Sequence, residues 1–135
     1  MSRFTVNVDG GARGNPGPAA IGVVLRDGEE VVEEVGEAIG EATNNVAEYR
    51  ALLRGIELAA SHGASDLELI GDSELVVRQV EGRYKVKSAG MKELHEAVKR
   101  ALRDFDSWSI RHVRRENNAD ADRLVNEALD GALDG

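Results

Sequence analysis

Four acidic residues stand where a chain would need them in order to gather metal ions. Asp9 closes the alternating run Phe4-Thr5-Val6-Asn7-Val8, just ahead of a glycine pair, and Asp72 follows the short run Leu69-Ile70-Gly71. Glu48 falls in the first turn of one stretch with helical spacing, and Asp122 in the first turn of another. In α/β sheets, functional side chains collect just beyond strand ends, so two aspartates that end parallel neighbouring strands become neighbours themselves. Clustered carboxylates suit hard, oxygen-seeking cations, and a pair of such ions can activate a water and stabilise the leaving oxygen of a phosphodiester. Without metal, close carboxylates repel one another, and at least one of their pKa values should rise.

Each acid also has a purely structural role open to it. Asp9-Gly10 is a turn signal. Asn45-Val46-Ala47-Glu48 has the spacing of a capping box, so Glu48 could serve only its own helix. Asp72 could cap the helix that begins at Ser73, and Asp122 could favour the positive end of a helix dipole. Asp120 is the nearest rival to Asp122; the frame Ala121-Asp122-Arg123-Leu124 favours the latter.

What separates the readings is the company each acid keeps. Asp9 lies in Val8-Asp9-Gly10-Gly11-Ala12-Arg13-Gly14-Asn15-Pro16-Gly17-Pro18, and Glu48 in Thr43-Asn44-Asn45-Val46-Ala47-Glu48-Tyr49-Arg50-Ala51. Asp72 lies in Ile70-Gly71-Asp72-Ser73, and Asp122 ends His112-Val113-Arg114-Arg115-Glu116-Asn117-Asn118-Ala119-Asp120-Ala121-Asp122. In this order and spacing, over nearly the whole chain, the series closely resembles type 1 ribonuclease H.

The resemblance implies a ribonuclease H-like α/β fold and an endonuclease that cuts the RNA strand of RNA–DNA hybrids. It implies two Mg²⁺ or Mn²⁺ ions held by Asp9, Glu48, Asp72 and Asp122, with products carrying 5′-phosphate and 3′-hydroxyl ends. His112 matches the family's mobile histidine, which assists proton transfer or product release; read by itself, a histidine at a strand end is usually structural. Gly10, Gly11, Asn15, Asn44 and Asn45 match residues that contact the hybrid, and Thr43 matches one in the DNA-phosphate pocket. Turn and cap chemistry is the other role open to them, and both roles can coexist. Recognition of RNA against DNA would rest on the 2′-hydroxyl and on groove shape.

Two departures stand out. Glu74 occupies a position where many members have Gln, and a second acid there could repel phosphate or stay turned away. Better-studied members carry a basic, tryptophan-rich protrusion, of which Gly82-Arg83-Tyr84-Lys85-Val86-Lys87 is the remnant. Its loss predicts weaker binding, a preference for Mn²⁺, or tolerance of other duplexes; a solvated loop is its plainer reading.

The elements that must position these residues can be read from periodicity. Alternation predicts strands over 3–10, 20–27 and 30–39, with a Gly/Pro-rich loop over 10–18 and a turn at Asp27-Gly28, together an antiparallel meander. Helical spacing over 45–62 ends at Gly63, a C-cap candidate. A buried strand over 66–71 follows, then helices over 73–81 and 92–105, a strand over 108–113, and a helix from 119 onward. Three antiparallel strands and two parallel ones, flanked by helices, make a five-stranded mixed sheet in a single domain spanning 1–135.

Composition bounds the alternatives. The chain has 135 residues, 41% apolar and 31% charged, which is ordinary for a globular protein. It has no cysteine, which removes disulfides, thiolate metal sites and cysteine nucleophiles. No apolar run suggests a membrane helix and no secretory signal is read at the start, so a cytoplasmic, monomeric protein is expected. The net charge of −8 argues against phosphate binding at first sight. Bound cations would offset it locally, and Arg13, Arg50, Arg54, Arg114 and Arg115 lie near the motifs. Arginine outnumbers lysine by 13 to 4, and such an acidic, lysine-poor chain would suit a salt-rich cytoplasm.

Gly11, Gly14 and Gly17 fit neither the dinucleotide nor the P-loop pattern, and their loop leads to a strand, so a nucleotide site is set aside. A resolvase or exonuclease of the same broad fold would lack the Asn-Pro-Gly and Thr-Asn-Asn runs. A binding module that kept the fold would have no reason to gather four acids where phosphate must sit, and only the net charge recommends an acidic interaction domain; metal-dependent cleavage separates the nuclease from both.

Overall fold

The structure is a computed structural model that describes residues 3–134, with the side chains of 132–134 left aside. Three strands, β1 (Arg3–Ala12), β2 (Gly17–Asp27) and β3 (Glu30–Ala42), form the antiparallel meander. Helix α1 (Asn44–Ser61) leads to β4 (Asp66–Gly71), helices α2 (Glu74–Glu81) and α3 (Ala89–Leu102), and β5 (Ser107–His112). A 3-10 turn over Arg115–Asn118 opens helix α4 (Ala119–Asp134). The sheet order is β3-β2-β1-β4-β5, with β4 parallel to both β1 and β5.

The expected order of elements holds, and several boundaries move. β1 and β2 run on through the glycine-rich segment to the pair Ala12↔Ala19, because small residues let the hairpin zip further than turn chemistry suggests. β3 continues to Ala42. Helix α3 starts at Ala89 where 92 was expected: Ser88 Oγ accepts from the Met91 amide and caps it, despite Gly90 in the first turn. It ends at Leu102, and Phe105 is buried from the loop beyond. Helix α1 ends with His62 as its cap, and Gly63 takes the left-handed turn just after it.

The main core lies on one face of the sheet. Val6, Val8, Val23 and Leu25 pack there against Tyr49, Leu52 and Ile56 of α1, with α2 and α3 closing the flank. On the opposite face α4 covers the sheet through a smaller cluster, Ala20, Val125 and Leu129. β3 is one of the two outer strands, largely exposed and rich in glutamate, which discourages edge-to-edge pairing.

Two close approaches set the helices that carry acids. A Cβ added to Gly10 would lie 2.3 Å from the Ala47 carbonyl carbon, so the start of α1 rests directly on β1 backbone. A Cβ added to Gly22 would lie 2.2 Å from Ala121 O, and Gly22 pairs in register with Gly36, which meets Leu124. Neighbouring strands thus offer α4 a bare backbone seat.

Candidate active site

Register alone brings the first two acids together. Val8 pairs with Gly71 across the parallel β1–β4 ladder, so Asp9 and Asp72, one residue further along each strand, stand side by side. α1 adds Glu48 from above Gly10, and Glu48 Oε1 accepts a 3.2 Å hydrogen bond from the Gly10 amide. Glu48 is therefore no capping residue. That role belongs to Thr43, whose Oγ1 accepts from the Val46 amide. Asp72 is likewise not a cap, since Ser73 Oγ accepts from the Val76 amide at the start of α2.

Oxygens of Asp9, Glu48 and Asp72 lie within 4.8 Å of one another. Asp122, delivered by α4, stands outside that group of three; it lines the same cleft of about 480 Å³, and its charge acts on Asp9. Arg115 pairs with Asp122 at 3.2 Å, and Asn126 Nδ2 reaches the same carboxylate at 3.4 Å. Asp120 points elsewhere: it pairs with Arg26 at 2.7 Å.

The electrostatics follow from burial. Asp9 and Glu48 are 6% and 8% exposed. Burial, then the charge of Asp72, pushes the Asp9 carboxyl up to about 7. Burial, then the charge of Asp9, pushes Glu48 well above the ordinary glutamate range. Acids this close and this dry hold protons unless a counter-charge replaces them. The donors are all carboxylate oxygens, which fits a hard divalent cation better than a thiolate- or imidazole-seeking one. The cluster is therefore suited to hold metal.

The profile of the Reverse transcriptase-like family matches residues 7–128. The ribonuclease HI of Halobacterium salinarum is 49% identical over 125 residues, which cover 92% of this chain and 63% of that protein. A bifunctional protein of Mycobacterium tuberculosis is 42% identical, and there the match spans 36% of the longer partner. The chain thus spans less than two thirds of these relatives' lengths. Among solved structures, LC11-RNase H1 in complex with an RNA/DNA hybrid superposes with a TM-score of 0.92 at 45% identity, over 96% of this chain and 99% of that one. The chain belongs to the ribonuclease H family.

In this ribonuclease H chain the other expected residues take separate places. Gly10, Gly11, Asn44 and Asn45 line the cleft with the acids. Asn15 lies beside it: its Oδ1 accepts from the Asn44 amide, while Asn44 Oδ1 accepts from the Ala12 amide, so the two asparagines fasten the β1–β2 loop to α1. His112 ends β5 in register with Gly71, half-buried and outside the cleft lining. Glu74 is exposed at the start of α2 and is not among the residues that line the cleft. The segment from Gly82 to Lys87 is an exposed loop; Gln79 Nε2 donates to the Lys85 carbonyl, and Tyr49 Oη donates to Gln79 Oε1 at 2.6 Å.

Sequence reasoning assigned no role to Asn118, which is 2% exposed. Its Nδ2 donates to Val8 O at 2.8 Å and to Asp72 Oδ2 at 3.3 Å. An asparagine just before a helix reads as a cap, and no local spacing reveals a contact made across more than a hundred residues.

Proposed function

We propose that this chain is a metal-dependent endonuclease that hydrolyses the RNA strand of RNA–DNA hybrids, leaving 5′-phosphate and 3′-hydroxyl ends. The observation that carries the reading is the convergence of three buried or half-buried carboxylates where β1 passes the end of β4 and the start of α1, with Asp122 lining the same open polar cleft. A module that merely bound phosphate would be harmed by such a cluster. A hydrolase that holds cations requires it.

Asp9, Glu48, Asp72 and Asp122 would hold the metal, two Mg²⁺ or Mn²⁺ ions in this reading. Bound there, the ions would supply an activated water and charge stabilisation at the leaving oxygen. The chain's own residues do the rest. The Gly10 amide fixes Glu48 in a carboxylate geometry ready to exchange its proton for a cation. Arg115 keeps Asp122 beside the cluster and adds a positive group at the cleft. Gly10, Gly11, Asn15, Asn44 and Asn45 would meet the hybrid, with Thr43 at a DNA phosphate, and their backbone placement follows from the Thr43 cap and the asparagine bridge. His112, outside the cleft, would assist proton transfer or product release from its edge. Support for the hybrid as substrate comes from LC11-RNase H1, whose solved complex contains one. The same reading takes residues 1–135 as one ribonuclease H domain that acts as a monomer in the cytoplasm. No helix among the described residues is long and apolar enough to cross a membrane.

The test is cleavage of an end-labelled RNA–DNA hybrid with Mg²⁺, Mn²⁺ or EDTA, for the wild type and Asp72→Asn. Cutting of the RNA strand only with metal, abolished in the variant, is the expected result. Binding of the hybrid without cleavage under any metal would replace this reading with that of a non-catalytic binding module. Preference for branched or single-stranded DNA would point to another nuclease of the same fold.

A further inference from the structure

On the α4 side of the sheet, an unbroken file of hydrogen bonds runs from a guanidinium to the carboxylate of Asp72. Arg26 Nη1 donates to Asn7 Oδ1 at 2.7 Å, and Asn7 Nδ2 donates to Asn118 Oδ1 at 3.0 Å. Asn118 Nδ2 then donates to both Val8 O and Asp72 Oδ2. Arg26 is itself anchored by Asp120. Two asparagines, 8% and 2% exposed, are thus buried beside a carboxylate cluster that does not need them as ligands. Burying two primary amides is costly unless every polar atom is satisfied.

They are satisfied in one sense only. Arg26 can only donate, and the Val8 carbonyl can only accept. With both ends fixed, each amide has a single orientation that leaves no clash, and that orientation turns an N–H toward Asp72. A half-turn of the Asn118 amide would set its oxygen against the Val8 carbonyl and a carboxylate at once. Donors aligned head to tail from a cation also polarise one another.

We propose that Asn118 is a positioning residue for Asp72, and that Arg26, acting through Asn7, fixes the sense in which Asn118 presents its amide. One oxygen of Asp72 accepts from this N–H, which sets the plane of the carboxylate, and Asp72 so oriented would join Asp9 and Glu48 in holding a cation. Asp120 and Arg26 belong to this relay, which explains why an acid so close in sequence to Asp122 faces away from the cleft. The inference rests on the metal-site reading of the four acids.

The test measures Mn²⁺ affinity by titration calorimetry and unfolding by denaturant, for the wild type, Asn118→Ala, Arg26→Met, Arg26→Lys and the double variant Arg26→Met/Asn118→Ala. Asn118→Ala should bind Mn²⁺ about tenfold more weakly, as is typical when a partner of a metal ligand is lost, and Arg26→Met about threefold more weakly. Arg26→Lys, which keeps a donor, should stay within about twofold of wild type, and the double variant should match Asn118→Ala, since both act along one route. On the hybrid, kcat should fall in Asn118→Ala while KM holds. Arg123→Met, which removes exposed ion pairs with Glu34 and Glu127 elsewhere on α4, should bind like wild type.

Unchanged Mn²⁺ affinity in folded Asn118→Ala and Arg26→Met overturns the proposal. Loss in the first without loss in the second overturns the relay from Arg26, as does a double variant that loses the product of the single effects. Should Asn118→Ala fail to fold, the two Arg26 variants decide: a weaker Met variant and a normal Lys variant support the relay, and equal binding refutes it. If wild type takes up no Mn²⁺, the metal reading falls and takes this one with it; if wild type binds and the variants bind alike, only this one falls.

Discussion

Replacing Asp9 with asparagine should make the metal-free protein more stable at alkaline pH and leave it almost unchanged near pH 3.5, below the ordinary aspartate value. Asp9 is held at about 7 in the fold, against an ordinary value of 3.8. Between those values the folded protein keeps a proton that the unfolded chain has released, so stability falls as pH rises across that window. The gap corresponds to roughly 4 kcal/mol for this one group. Asparagine has the same shape and never ionises. Above pH 8 it should recover about 2–4 kcal/mol, which raises the melting temperature by roughly 10 °C; near pH 5, inside the window, the gain should be about 1–2 kcal/mol, and near pH 3.5 less than about 0.5 kcal/mol. The assay is thermal unfolding in EDTA over a pH series, repeated with Mg²⁺. Metal should stabilise the wild type at alkaline pH by replacing the missing counter-charge, and should stabilise the variant much less. A wild-type melting curve that is flat with pH in EDTA, or an equal gain for Asp9→Asn at both ends of the series, would refute the account of the cluster as mutually repelling buried acids.

Three further outcomes follow from geometry already described. Gly22→Ala drives a methyl into the Ala121 carbonyl, so α4 must shift; denaturant unfolding should show a loss of about 2–3 kcal/mol, with cleavage activity falling alongside. Glu74→Gln changes an exposed residue outside the cleft lining, and steady-state kinetics should change by less than about threefold, because screened surface charge contributes little. Thr43→Ala removes the α1 cap and should cost about 1 kcal/mol of stability in urea denaturation.

The strand β4 and its two neighbours on the sheet were legible because period-two alternation and turn residues mark strands locally. So was the convergence of Asp9, Glu48 and Asp72, whose motifs lie along β1, at the start of α1 and just past the end of β4. What escaped was set by distant parts of the chain. Apolar periodicity carried the expected third helix on to Phe105, since a buried aromatic in a loop looks the same as one on a helix face. The glycine-rich run read as loop because its pairing partners, Ala19 and Ala20 of β2, lie beyond the turn. Glu48 carried two plausible roles in the sequence; only the approach of α1 to Gly10, and the cap at Thr43, separate them. Asn7 looked like the polar half of an alternating strand, and its partner Asn118 lies 111 residues away.

The glycine seat beneath α4 also bears on how the protein is made. A chain emerging from the ribosome offers β1, β2 and β3 first, then Glu48 and Asp72, and Asp122 only after more than a hundred residues have been synthesised. Until that helix settles onto Gly22 and Gly36, the cleft lacks its fourth acid, and Asn118 is not yet in place to hold Asp72. The centre therefore stays unfinished until α4 has been made, and it is completed in one late docking event.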